Sequence, residues 1–172
     1  MAPITHTLDL ASLHLQAGQA RRLELAIPIG ELTFGGERYG VTPSPVDARL
    51  DVARTTAAGW SLRLRFAVRA VGPCMRCLEP AGPELAVDIR EIDQPHAGED
   101  LSSPYLEQHV LDVAGFARDA LVLALPTQIL CRPECAGLCP VCGANLNDAG
   151  PDHHHEREPD PRWAKLRELR LE

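Results

Sequence analysis

Aromatic side chains are scarce, at 4% of the residues, so any core must be assembled from Leu, Val and Ala rather than from stacked rings. Long apolar runs are missing too. The longest, Ala120 to Leu125, falls far short of the roughly 20 residues that a membrane helix needs. The opening Met1-Ala2-Pro3-Ile4-Thr5-His6 has no basic stretch leading into an apolar one, so no secretory signal is expected and the cytoplasm is the expected location. Disulfides are rare there. Cysteine is absent outside two short stretches, Cys74/Cys77 and Cys131/Cys135/Cys139/Cys142, which leaves metal ligation as the leading use for the six thiols. Signatures of catalysis are also missing. There is no Gly-rich phosphate loop, no Gly-x-Ser-x-Gly and no helical His-Glu-x-x-His. Ser61, Ser102 and Ser103 have no recognisable base partner. Neither an enzymatic activity nor a small-molecule substrate is expected.

A net charge of −7 argues against a generic nucleic-acid coat. The charge is uneven, however. Residues 91–160 hold 13 Asp+Glu against 3 Lys+Arg, whereas residues 21–90 hold 10 Lys+Arg against 8 Asp+Glu. A phosphate-bearing partner would therefore meet the N-terminal half or the basic extreme C-terminus rather than the acidic middle.

Period-two alternation dominates the first ninety residues. Leu23, Leu25 and Ile27 share one face of a strand that Pro28 and Gly35-Gly36 bring to an end. Val46, Ala48, Leu50 and Val52 repeat the pattern. Leu62, Leu64, Phe66, Val68 and Ala70 follow after an Ala57-Ala58-Gly59 turn, and Leu85, Val87 and Ile89 come next. Residues 1–20 fit either a strand or a short helix, and 93–104 read as a polar loop. A helix is expected over Val113, Phe116, Ala117, Ala120, Leu121 and Ala124, with Asp112 as its N-cap and Pro126 as its stop. A short basic amphipathic helix is expected near the C-terminus, with Pro161 in its first turn and Trp163, Leu166 and Leu169 on its apolar side. The expected class is α+β. An antiparallel sheet covered by one helix would occupy residues 1–126, and a Cys/His-rich metal-binding segment with the basic terminal helix would occupy 127–172. The polar face of the strands carries Arg49, Arg63, Arg65, Arg69 and Arg90, interleaved with Asp47, Asp51, Glu84 and Asp88. Two readings stand for this face: a solvated surface of cross-strand ion pairs, or a phosphate-contacting surface.

Four ligand pairs are spaced for tetrahedral metal: Cys74/Cys77, Cys131/Cys135, Cys139/Cys142 and two of His153, His154 and His155. Four pairs make two zinc sites. The favoured pairing joins Cys74, Cys77, Cys131 and Cys135 on one ion and Cys139, Cys142, His153 and His155 on a second, with Asp152 as a substitute ligand or supporting group. Two other arrangements remain open. Cys131, Cys135, Cys139 and Cys142 could share a single ion and leave Cys74 and Cys77 as free or redox-active thiols, or only Cys139/Cys142 and one further pair could be metallated. For the histidines the plain alternative is a solvated polar loop. Ligand sets filled wholly by protein are structural and leave no position open for water activation.

These residues resemble the YceD family, the large ribosomal RNA subunit accumulation proteins. The resemblance is carried by Cys74-Met75-Arg76-Cys77-Leu78-Glu79-Pro80, by Leu121–Pro126, by the block from Cys131 to Asn147 with its Cys139-Pro140-Val141-Cys142-Gly143 turn, and by Asp160-Pro161-Arg162-Trp163. It spans roughly 46–170. It implies a non-enzymatic factor that supports accumulation of 23S ribosomal RNA, and it maps the family's Cys-x-Arg-Cys onto Cys74, Arg76 and Cys77. Some members lack the later Cys-Pro-x-Cys-Gly block, which again places Cys131/Cys135 with Cys74/Cys77. Where members carry Cys-x-Cys after Asn-Leu-Asn, this chain has His153-His154-His155. The expected partner is ribosomal RNA or a large-subunit precursor, met by Arg49, Arg63, Arg65, Arg69, Arg76, Arg162, Lys165 and Arg167. The alternatives are a zinc-stabilised protein-interaction module without RNA contact and a redox protein using Cys74/Cys77, the latter disfavoured because no thioredoxin-like βαβ pattern surrounds the motif.

Overall fold

Alternation in the sequence becomes a one-sided sheet in the computed structural model, which describes residues 3–94, 101–150 and 152–155. The strands are β1 (Thr7–Asp9), β2 (Ala20–Ile27), β3 (Leu32–Phe34), β4 (Glu37–Thr42), β5 (Val46–Arg54), β6 (Trp60–Pro73), β7 (Pro80–Ala81), β8 (Glu84–Asp93), β9 (Leu106–Glu107) and β10 (Val110–Asp112). Among the described residues one α-helix, α1 (Val113–Ala124), follows. Seven strands form the main antiparallel sheet, in the order β2-β5-β6-β4-β3, with β7 and β8 on the far edge of β6. β6 is long enough to serve two partners on each edge. Its residues 60–66 pair with β5 and 69–71 with β4, while 60–69 pair with β8 and 72–73 with β7. β1, β10 and β9 pair as a second, small sheet, whose Leu111 joins the hydrophobic core.

Burial follows the alternation. Trp60, Leu62, Leu64, Phe66, Val68 and Ala70 of β6 are buried, as are Val46, Ala48, Leu50 and Val52 of β5 and Leu85 and Val87 of β8. The buried side of α1, Val113, Phe116, Ala117, Ala120 and Leu121, joins the same core. Each fully buried aliphatic side chain of this kind is worth roughly 1.5–3 kcal/mol. Asp112 caps α1 by accepting the Gly115 N–H at 2.9 Å. The helix stops where Leu125 turns extended ahead of Pro126, the conformation that a following proline favours.

Several elements depart from the sequence expectation. Gly35-Gly36 does not simply end a strand. Both glycines have positive φ (59° and 87°), and with Phe34 facing Glu37 they form the two-residue turn of a β3–β4 hairpin, in which positive φ at both positions matches strand twist. That hairpin buries Tyr39, 1% exposed. Residues 1–20 hold β1 and a 3-10 turn at Ala11–Leu13. Asp93, expected in a loop, ends β8 buried, and its carboxylate accepts the Ser103 N–H at 3.1 Å. The expected C-terminal helix, with Arg162, Lys165 and Arg167, lies outside the described residues.

The sheet positions the Cys-rich segment through the end of β6. Directly after Pro73 the chain makes a tight turn in which Leu78 N–H donates to Cys74 C=O at 3.0 Å and Cys74 N–H to Glu79 C=O at 2.7 Å. Met75 N–H then donates to Ile129 C=O at 2.9 Å. Ile129 is 1% exposed within the core, so the chain beyond α1 is anchored against the sheet before it reaches Cys131.

Candidate metal centres

Two groups of side chains converge beyond β6: Cys74, Cys77, Cys131 and Cys135 in one, and Cys139, Cys142, His153 and His155 in the other, with the donor atoms of each within 4.8 Å of one another. In the first, Cys74 and Cys135 sulfurs lie 3.8 Å apart and Cys77 and Cys131 sulfurs 3.5 Å apart. A tetrahedral ion with metal–sulfur bonds of about 2.3 Å requires sulfur–sulfur edges of about 3.8 Å. In the second, Cys142 Sγ and His153 Nε2 are 3.6 Å apart, and His153 and His155 Nε2 atoms 3.2 Å apart. For metal–nitrogen bonds of about 2.0 Å, the corresponding edges are about 3.5 and 3.3 Å. Both groups therefore fit a four-coordinate ion, and sulfur and imidazole donors suit zinc among the common metals. In each centre all four positions would be protein atoms.

Local backbone structure explains the convergence. In the first turn Arg76 N–H points at Cys74 Sγ at 3.5 Å. In the second, Gly143 N–H donates to Cys139 C=O and Cys139 N–H to Ala144 C=O, both at 2.8 Å. Turns of this sort aim backbone dipoles at an anionic sulfur. Between the centres, Leu138 N–H donates to Arg76 C=O at 3.1 Å, which seats the second turn on the first. Gly137 makes this approach possible. It has φ +80°, and a Cβ there would stand 3.2 Å from Arg76 O.

The thiols are unequal before any ion binds. Burial pushes Cys74 up, but backbone N–H groups of Arg76, Cys77 and Cys131 outweigh it and bring the thiol down to about 6. Burial pushes Cys77 up to about 12 and also raises Cys131. Cys135 is lowered, chiefly by a hydrogen bond from Asn147. In the second group, the Cys142 backbone N–H and then His153 lower Cys139 to about 6. The first group thus sets Cys74, lowered toward the thiolate, beside Cys77 and Cys131, whose raised thiols must give up a proton to a metal. Each group mixes exposures: Cys74, Cys77, Cys135 and Cys139 are buried, whereas Cys131, Cys142 and His155 are exposed.

The remaining candidate residues are placed as follows. Arg76 donates to Gln128 Oε1 at 3.2 Å and to the Cys135 carbonyl at 3.0 Å, so its side chain brackets the first centre. On the sheet, Arg63 grips Asp88 through two hydrogen bonds of 2.7 and 2.6 Å. Arg49 pairs with Glu24 at 2.9 Å, Arg22 with Asp51 at 2.6 Å, and Arg65 also reaches Asp51. Arg69 donates to Gly82 C=O at 3.2 Å. Asp152 contributes its backbone carbonyl to His154 Nδ1 at 2.8 Å. Asn147, not among the residues expected from the sequence to serve a site, donates from its amide to Cys135 Sγ at 3.5 Å. Its place in an Asn145-Leu146-Asn147 run after the last cysteine was the available signal.

Comparison with known proteins places residues 62–170 on the family model for the large ribosomal RNA subunit accumulation protein YceD. An uncharacterized protein of Mycobacterium tuberculosis strain H37Rv is 38% identical over 174 residues, covering 95% of this chain and 80% of that protein, and an uncharacterized Mycobacterium bovis protein matches to the same extent. A maize protein named large ribosomal RNA subunit accumulation protein YCED homolog 1, chloroplastic, is 28% identical over 177 residues, covering 81% of this chain and 58% of its own length. No solved structure matches. Among the described residues, no helix is long and apolar enough to cross a membrane.

Proposed function

The chain belongs to the YceD family, and from that premise we propose that it is a non-enzymatic, cytoplasmic ribosome-biogenesis factor that supports accumulation of large-subunit ribosomal RNA. The observation that carries the reading is the family match over residues 62–170, a span that contains both candidate metal centres. Two zinc ions would fasten residues 127–155 to the end of the sheet. Cys74, Cys77, Cys131 and Cys135 would hold one, and Cys139, Cys142, His153 and His155 the other. Donor sets closed by protein atoms suit ions that hold shape rather than activate water. The shape so held would dock RNA or a large-subunit precursor through Arg49, Arg63, Arg65, Arg69 and Arg76 and through Arg162, Lys165 and Arg167. With a net charge of −7, such binding is local and salt-sensitive. The test is affinity purification of the tagged protein at low salt, with depletion of the protein in parallel. Recovery of large-subunit RNA and a fall in 23S relative to 16S RNA on depletion are expected. Recovery of neither RNA nor large-subunit proteins, with an unchanged RNA ratio, contradicts the proposal.

A second reading, a zinc-stabilised protein-interaction module without RNA contact, has an observation of its own. Arg49, Arg63 and Arg65 already face carboxylates, so phosphates would have to compete for them. Recovery of one dominant protein partner, insensitive to nuclease, favours that reading.

A further inference from the structure

We infer that Asn147 couples the two metal centres, so that filling either one tightens the other. Asn147 lies in the loop between the ligand pairs of the second centre, after Cys142 and before His153. Its side chain nevertheless serves the first. The Ala136 N–H donates to Asn147 Oδ1 at 2.9 Å, which fixes the amide's orientation and turns its NH2 group away from Ala136. One N–H of that group donates to Asn145 Oδ1 at 2.8 Å and the other points at Cys135 Sγ at 3.5 Å. The amide is therefore fully used, and one of its bonds ends on a ligand sulfur of the other centre.

The loop that carries Asn147 is held by backbone contacts, among them a β-bridge between Leu138 and Asn145 and the Cys139 N–H to Ala144 C=O bond, rather than by buried side chains. Leu146 N–H donates to Gly137 C=O at 2.9 Å, Asp148 and Ala149 N–H groups bond to Asn145 C=O, and His153 N–H reaches Gly150 C=O at 3.4 Å. Residues 143–150 contribute no side chain to the buried core. An ion bound by Cys139, Cys142, His153 and His155 closes this loop at both ends, which lowers the entropy lost in presenting Asn147 to Cys135. A metal thiolate at Cys135 in turn strengthens the N–H···S bond, because hydrogen bonds to charged acceptors are the stronger kind. Coupling between binding sites is reciprocal by thermodynamic necessity. The second centre thus reports its occupancy to the first through the Asn147 amide, which acts beside the Leu138–Arg76 backbone bond that seats one turn on the other.

The inference rests on reading both groups as metal centres and does not depend on the ribosomal role. The experiment follows zinc release from the purified full-length chain into a chromophoric chelator, with cobalt substitution to assign each phase by its sulfur-to-metal charge-transfer intensity. Removing a group that supports a metal ligand typically costs 10–100-fold in affinity. Asn147→Ala should therefore speed release from the four-cysteine centre about tenfold. His155→Ala, which opens the second centre, should do the same, and the two together should add little because both break one link. Asn147→Asp keeps the acceptor for Ala136 but turns an oxygen toward Cys135 Sγ, and should release metal at least as fast as Asn147→Ala. Wild-type rates in Asn147→Asp, release from the first centre unaffected by His155→Ala, or full additivity of the two changes would each overturn the inference. A wild-type chain that holds no metal in either centre overturns it together with the metal reading, and metal analysis detects that before any variant is made.

Discussion

Stripping the metal under reducing conditions should unfold residues 127–155 and leave the main sheet standing. Between residues 127 and 150 the only fully buried aliphatic side chain is Ile129, worth about 2–3 kcal/mol. Leu130 and Leu138 pack against the core only partly buried. Ordering the backbone costs about 1–2 kcal/mol per residue, so a stretch of this length loses many times what Ile129 contributes. Structural zinc in finger peptides binds with an apparent free energy of about 10–16 kcal/mol per ion, a figure that already includes the folding it drives. The sheet needs no such help, since Leu50 and Leu64 are 0% exposed and Leu62 is 1% exposed. Amide hydrogen exchange read peptide by peptide, with and without chelator, is the assay. Protection should vanish across 127–155, weaken at the Cys74–Cys77 turn, and persist in β5, β6 and α1. Retained protection across 127–150 after complete metal removal would refute the reasoning, as would collapse of the whole sheet.

Gly137→Ala places a Cβ 3.2 Å from Arg76 O at φ +80°; left-handed backbone alone costs an alanine about 1–2 kcal/mol, so chelator midpoints should fall while the melting of the sheet stays unchanged. Asp51 is held below the ordinary carboxylate range chiefly by its hydrogen bond from Arg22, with Arg65 assisting. Its contribution is therefore present above the unfolded carboxylate pKa and lost as pH falls through the lowered value. Asp51→Asn should cost about 1 kcal/mol at neutral pH, a gap that closes in acid on denaturant titration. If Arg63 and Arg65 contact phosphate, replacing both with Gln should lower the slope of log affinity against log salt by about 2; an unchanged slope assigns them to the ion-pair surface alone.

Much of this arrangement was legible in the residues, for physical reasons. In β5, β6 and β8 the period of two coincides with burial because one face of the sheet is covered, so Leu62, Leu64 and Phe66 announce themselves. α1 carries both a cap in Asp112 and a stop in Pro126. The cysteine pairs reveal themselves because short turns are the way two thiolates reach one ion. The β3–β4 hairpin was missed because Gly35-Gly36 signals a chain reversal as readily as a strand end, and strands as short as Leu32–Phe34 carry almost no periodicity. The β1-β10-β9 sheet is hidden for the same reason, with pairings such as Leu8 to Leu111 set by tertiary contact alone. Asn147 stood out only as part of the Asn145-Leu146-Asn147 run, because its role depends on how the loop folds back, and spacing does not show that.

The central claim is that this chain is held together beyond its sheet by two structural ions. The most direct measurement is metal content per chain, by elemental mass spectrometry on protein purified without added metal and without a metal-affinity tag. Two zinc equivalents per chain, with all six cysteines slow to react with a thiol reagent until chelator is added, is the result predicted. Absence of bound metal, with the six thiols freely reactive in the folded protein, would contradict it.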